Sequence, residues 1–176
     1  MHDDAEPELA GRASATLRPS EDPAKVEAAV QAIFYPESGC VVRLEEGTVT
    51  ADFRGAAALK KLRDQARARK IRAALRRLLL ARASGSGTTL LLNRQALAAG
   101  VLALCEDESE SPLGPVLLEL SSPDMEGVAD WFAPDPRLGV SRGAGGRSFR
   151  SRSRPTRRHD TATPPSRPGR RPGPSG

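Results

Sequence analysis

The side chains best suited to touching a nucleic acid are Asn93, Arg94 and Gln95, three long polar residues in a row behind the apolar run Leu90-Leu91-Leu92. Amide and guanidinium groups hydrogen-bond phosphate oxygens, ribose hydroxyls and base edges, and a guanidinium plane can also stack on a base. A charged group that enters an apolar interior without a partner costs several kcal/mol, so Arg94 must reach solvent or something that solvates it as well as water does. The expectation is an exposed strand end: either a binding edge, or a structural end where Arg94 is solvated or pairs with a carboxylate while Asn93 and Gln95 hydrogen-bond turn backbone. A second set is Arg69, Lys70, Arg72, Arg76 and Arg77. At about 100° per residue, Arg69, Arg72 and Arg76 fall opposite Ile71, Ala74, Leu75 and Leu78 on a helix, which makes a basic outer stripe. Such a stripe is either a track for phosphates or an ordinary solvated face.

Other chemistries find less support. The cysteines Cys40 and Cys105 and the terminal histidines His2 and His159 do not have the spacing of a zinc site. No glycine-rich loop ends in Lys-Ser or Lys-Thr, and neither histidine is anchored where a Ser-His-Asp triad would need it. Glu45, Glu46, Asp52 and the EDESES carboxylates lack the alternating pattern of a calcium loop. The expectation is a protein that is not an enzyme and uses no cofactor or metal. GAGG at 143–146 resembles a backbone-clamping loop but has no helix beside it, so it reads as chance. Phe34, Tyr35, Phe53, Trp131 and Phe132 fall mostly at core-facing positions, and Phe149 is in the tail. Stacking of single-stranded bases is therefore disfavoured against recognition of backbone shape and the 2′-hydroxyl. With no apolar run of about 18 residues and no secretory segment, the expected location is cytoplasmic, away from membranes.

These residues need elements to hold them. Asp22 before Pro23 reads as a cap with proline in the first turn, and Val26, Ala29, Val30, Ile33 and Phe34 mark one helix face that Pro36 ends. Alternation of Ala13, Ala15 and Leu17 suggests a strand, and VVRLEEGTVTADF a β-hairpin turning at Glu46-Gly47. Residues 55–83 are rich in Ala, Leu, Lys and Arg and predict two helices broken around Ala66 to Arg69, ahead of the SGSG loop. Strands are expected at TTLLLN, GVLALCE and VLLEL, then a short helix that buries Val128, Trp131 and Phe132. Runs of strands joined by short turns and interleaved with helices predict one α+β domain, a mainly antiparallel sheet with helices on one face.

The net charge of +5 is unevenly spread. Met1 to Arg137 holds 17 Lys and Arg against 21 Asp and Glu, a net of −4, whereas Leu138 to Gly176 holds 10 against 1, a net of +9. The basicity belongs to the tail and does not make the folded part a polyanion binder. The expected organisation is an acidic leader over 1–12, the domain over 13–134, and an unordered tail over 135–176 rich in Arg, Pro, Ser and Gly. Two readings of that tail stay open: an RNA-associating arm, or the product of a shifted frame in a GC-rich gene.

The stretches PSEDPAKVEAAVQAIFYP, LLLNRQALAAG and SPLGPVLLEL, in this order, resemble a small archaeal family described as RNA-binding proteins or predicted exosome subunits. The likeness covers roughly Ala13 to Pro134. It implies an α+β fold similar to that of the ribosomal protein that binds the small RNA of the large subunit, and a role in RNA binding. The carboxylate-rich EDESES and the arginine-rich tail depart from the family's pattern. The resulting expectation is a non-catalytic binder of structured RNA, accessory to RNA processing or degradation and to the proteins of those processes. The alternative is a subunit that docks on a larger complex and touches no RNA.

Overall fold

The cap predicted at Asp22 forms. Its side chain accepts a hydrogen bond from the Ala24 N–H, Pro23 occupies the first turn, and helix α1 spans Pro23–Gln31. These features come from a computed structural model of the chain, which describes residues 6–135. The described residues all belong to one compact unit. Residues 136–176, with GAGG, Phe149 and His159, and the leader up to residue 5 with His2, lie outside the described residues.

Among the described residues, six strands form one antiparallel sheet: β1 (Ala10–Thr16), β2 (Val42–Glu45), β3 (Thr48–Arg54), β4 (Gly87–Leu92), β5 (Leu104–Cys105) and β6 (Val116–Ser121), in the order β2-β3-β1-β6-β4-β5. The predicted hairpin joins β2 to β3 through Glu46 and Gly47, both at positive φ (48° and 75°), the turn that matches strand twist. Period-two alternation sets the two faces. Ala13, Ala15, Val49, Ala51, Phe53, Leu90, Leu92, Leu118 and Leu120 are buried in the core, while Arg12, Asp52 and Glu119 on the other face are exposed. Onto the apolar face pack α1, α3 (Arg72–Ala81) and α5 (Met125–Phe132) through Val26, Val30, Leu75, Leu79, Val128 and Phe132. The fold class expected from the sequence is thereby observed.

Several boundaries differ. β1 starts at Ala10, and Leu9 is buried, so order begins inside the stretch expected to be a leader. Small residues hid this: a Cβ at Gly11 would fall on the Glu119 carbonyl oxygen and 2.6 Å from Phe53 Cζ, so the strand is small there because Phe53 lies across it. Helix α1 stops at Gln31, and Ile33 and Phe34 reach the core from the following turn. The basic segment does break, but at Arg69 to Ile71, between α2 (Lys60–Ala68) and α3. GVLALCE yields only the two residues of β5, because Leu102 turns into the core instead of continuing a strand.

Candidate functional site

Asn93, Arg94 and Gln95 do not end a strand in solvent. They open a short helix, α4 (Arg94–Ala98), and Asn93 is its cap. Its Oδ1 accepts from the Ala96 N–H at 3.0 Å, and its Nδ2 donates to the Glu110 carbonyl at 3.0 Å. The Asn93 amide is thus committed to backbone, as the structural alternative expected. Gln95 is exposed and makes no side-chain hydrogen bond among the described residues.

Arg94 corrects the expectation of an exposed guanidinium, since only 4% of it is accessible. Nε donates to the Gly114 carbonyl (3.2 Å), and Nη1 to the Thr16 carbonyl (2.8 Å) and to Glu21 Oε2 (3.3 Å). Its backbone N–H faces Ser111 Oγ (3.4 Å), which itself donates to the Gly114 carbonyl (2.8 Å). The charge is tolerated because a carboxylate and two carbonyls replace its water. Burial still pulls the guanidinium below its ordinary pKa, with Glu21 opposing and the Arg18 charge adding to the decrease. Glu21 Oε2 also accepts the Arg18 N–H at 2.8 Å. The three stretches singled out in the sequence therefore meet at one arginine: Glu21 from the first and Gly114 from the third on the guanidinium of Arg94 from the second, with Ser111 on its backbone N–H.

The stripe divides. Arg76 Nη1 pairs with the Asp130 carboxylate and donates to the Ala133 carbonyl (3.1 Å), which ties α3 to α5. Arg77 Nη2 meets Glu106 Oε1 at 2.5 Å. Arg69, Lys70 and Arg72 are exposed and have no ion pair among the described residues, and so is Arg67, which helical spacing did not single out. All four sit at the elbow between α2 and α3. Two hydrogen bonds close it, from the Ile71 N–H to the Ala66 carbonyl (3.0 Å) and from the Lys70 N–H to the Arg67 carbonyl (3.2 Å), with Lys70 left-handed at φ 59°. No hydrogen bond or ion pair links this elbow to Asn93, Arg94 or Gln95 among the described residues.

The acidic loop is organised by its own carboxylates. Asp107 caps a single turn at Glu108–Glu110, and Glu110 Oε1 accepts from the Glu106 N–H at 2.8 Å. Hydrogen bonds from Ser109 hold Asp107 below the usual carboxylate range. Among the described residues, no three His, Cys, Asp or Glu side chains gather as a metal site, and no helix is long and apolar enough to cross a membrane.

No family model matches the chain. It is 33% identical over 128 residues to a UPF0201 protein of Sulfurisphaera tokodaii, covering 70% of this chain and 86% of that one. The chain belongs to the UPF0201 family. A UPF0201 protein of Methanothermobacter thermautotrophicus is 34% identical over 124 residues, covering 70% and 90% of the two chains. Among solved structures, the UPF0201 protein of Methanococcus jannaschii superposes with a TM-score of 0.56 at 21% identity, covering 76% of this chain and 97% of that one. Another UPF0201 crystal structure gives 0.58 at 20% identity, covering 73% and 94%. At such identities the likeness is one of fold. These relatives are archaeal, as the sequence resemblance implied, and their names state no activity.

Proposed function

We propose that this UPF0201 chain binds RNA without catalysing a reaction on it, and that the α2–α3 elbow makes the contact. One observation carries the reading: Arg67, Arg69, Lys70 and Arg72 stand exposed at one corner without ion pairs among the described residues. In a domain whose net charge is negative, such a local cluster is what a phosphate backbone would engage. Phe34, Phe53 and Phe132 are buried and Trp131 lies under Arg63, its ring centroid 4.6 Å from Arg63 Cζ, so they give no platform for unstacked bases. The elbow thus suits structured or double-stranded RNA, met through phosphate and 2′-hydroxyl groups. The archaeal resemblance adds a role accessory to RNA processing or degradation in the cytoplasm. Arg76, Arg77, Asn93 and Arg94 take a structural part in this reading, and Gln95 none.

The test is a titration of residues 1–137 with a structured RNA at two salt concentrations. Replacing Arg69 and Arg72 by Ala and Lys70 by Gly is expected to lower affinity and to flatten the slope of log affinity against log salt by about two to three phosphates' worth. An unchanged slope sinks the proposal. A second reading, a docking subunit that touches no RNA, draws on the edge strand β2, where Leu44 is 42% exposed and Val41, just before the strand, 60%. It predicts no salt-sensitive RNA binding by either protein.

A further inference from the structure

At the end of the sheet beside Arg94 lies a cleft of about 280 Å³, whose polar lining is Ser14 and Thr16 from β1 with Arg18, Arg94 and Glu108. A second depression of about 470 Å³ adjoins it, sharing Arg94 and Leu113 and adding Lys25 of α1. Arg94 uses Nε and Nη1 on Gly114, Thr16 and Glu21, whereas Nη2 has no hydrogen bond among the described residues. Among the described residues no fully buried side-chain polar atom lacks a partner, so Nη2 keeps some solvent access, and it stands 3.4 Å from where a Cβ on Gly114, a lining residue of the cleft, would lie. A buried guanidinium, fixed by three acceptors with one edge left over, is a pre-positioned donor. Arg18 is exposed and its side chain has no partner among the described residues, yet its charge is close enough to lower the Arg94 pKa. Two arginines thus line one cavity that also presents two hydroxyl-bearing residues.

We propose that this cleft binds the terminal phosphate of a phosphomonoester, carried by a free nucleotide or by the end of a nucleic-acid chain. The geometry favours a tetrahedral oxyanion over a carboxylate. The Arg94 fork is already occupied, so a planar carboxylate cannot be gripped by two parallel bonds from it. The remaining donors, Arg94 Nη2, the Arg18 guanidinium and the Ser14 and Thr16 hydroxyls, come from separate residues and suit an anion with more than two oxygens. Two carboxylates oppose binding. Glu21 offsets much of the Arg94 charge, and Glu108 lines the cleft with no hydrogen bond from its side chain among the described residues. Glu108 is therefore a competitor for the cations, and removing its charge should strengthen binding. The site is separate from the elbow and does not depend on the RNA reading.

The experiment titrates the full chain with inorganic phosphate, adenosine 5′-monophosphate, a 5′-phosphorylated dinucleotide and acetate, followed by amide chemical shifts. The expected result is saturable shifts at Thr16 and Gly114 with the three phosphates and none with acetate. Arg18→Ala should weaken phosphate binding about tenfold, one charge-assisted hydrogen bond's worth, and Glu108→Gln should tighten it. Tighter binding of the mononucleotide points to a free nucleotide, tighter binding of the dinucleotide to a chain end, and either supports the site. Shifts confined to residues 136–176, equal shifts with acetate, or affinities unchanged in both variants would overturn it. Both substituted residues are exposed, so the folded state survives the test.

Discussion

Arg94 ties together parts of the chain that are far apart in sequence: its partners Thr16, Glu21 and Gly114 are 78, 73 and 20 residues away. Truncation to alanine would leave the Glu21 carboxylate, whose side chain is only 12% accessible, without its cation, and would take one donor from each of the Thr16 and Gly114 carbonyls. Breaking a buried pair from one side costs about 3–5 kcal/mol, so Arg94→Ala should show a much lower urea midpoint. Arg94→Lys should recover only part of this, because one ammonium cannot serve three acceptors spread along a planar fork. A wild-type midpoint in Arg94→Ala would contradict the burial described above. From the sequence, the physics of the residue was legible and its solution was not. An unpartnered arginine cannot be buried, but nothing near position 94 reveals that Glu21 and Thr16 come to meet it.

The elements that could be read from sequence carry their own local signals, namely the Asp22-Pro23 start of α1 and the Glu46-Gly47 turn of the hairpin. Those that were missed, or misplaced by a few residues as the elbow was, lack them. The α2–α3 elbow uses the left-handed residue that usually announces itself as glycine, but here the residue is Lys70 at φ 59°. Helix α4 begins directly after β4, so its first polar residues looked like a strand's end. The lysine costs something at that position. Lys70→Gly should raise stability by roughly 0.5–1 kcal/mol, because glycine adopts the left-handed region without Cβ strain. Thermal unfolding of that single variant is the check, and a clear loss of stability would mean that Lys70 contributes contacts beyond its backbone.

At the scale of the molecule, every core residue among those described lies between Leu9 and Ala133. Deleting residues 138–176 is accordingly expected to leave the unfolding midpoint unchanged while removing most non-specific polyanion binding, since that stretch holds ten arginines against one carboxylate. A large drop in midpoint would show that those residues help to hold the domain. The strand order has a further consequence, for the moment of synthesis. β1 is paired on one side with β3 and on the other with β6, the last of the described strands in chain order, so Ala10 lies opposite Ser121. Until Val116–Ser121 has left the ribosome, the β2-β3-β1 and β4-β5 groups have no strand between them, and β1 presents a bare edge. Such a nascent chain must wait for its final third with an open template for wrong pairing. Folding is therefore expected to complete after translation of the domain instead of along it, and chains halted before Val116 would be the ones a chaperone or a neighbouring strand captures.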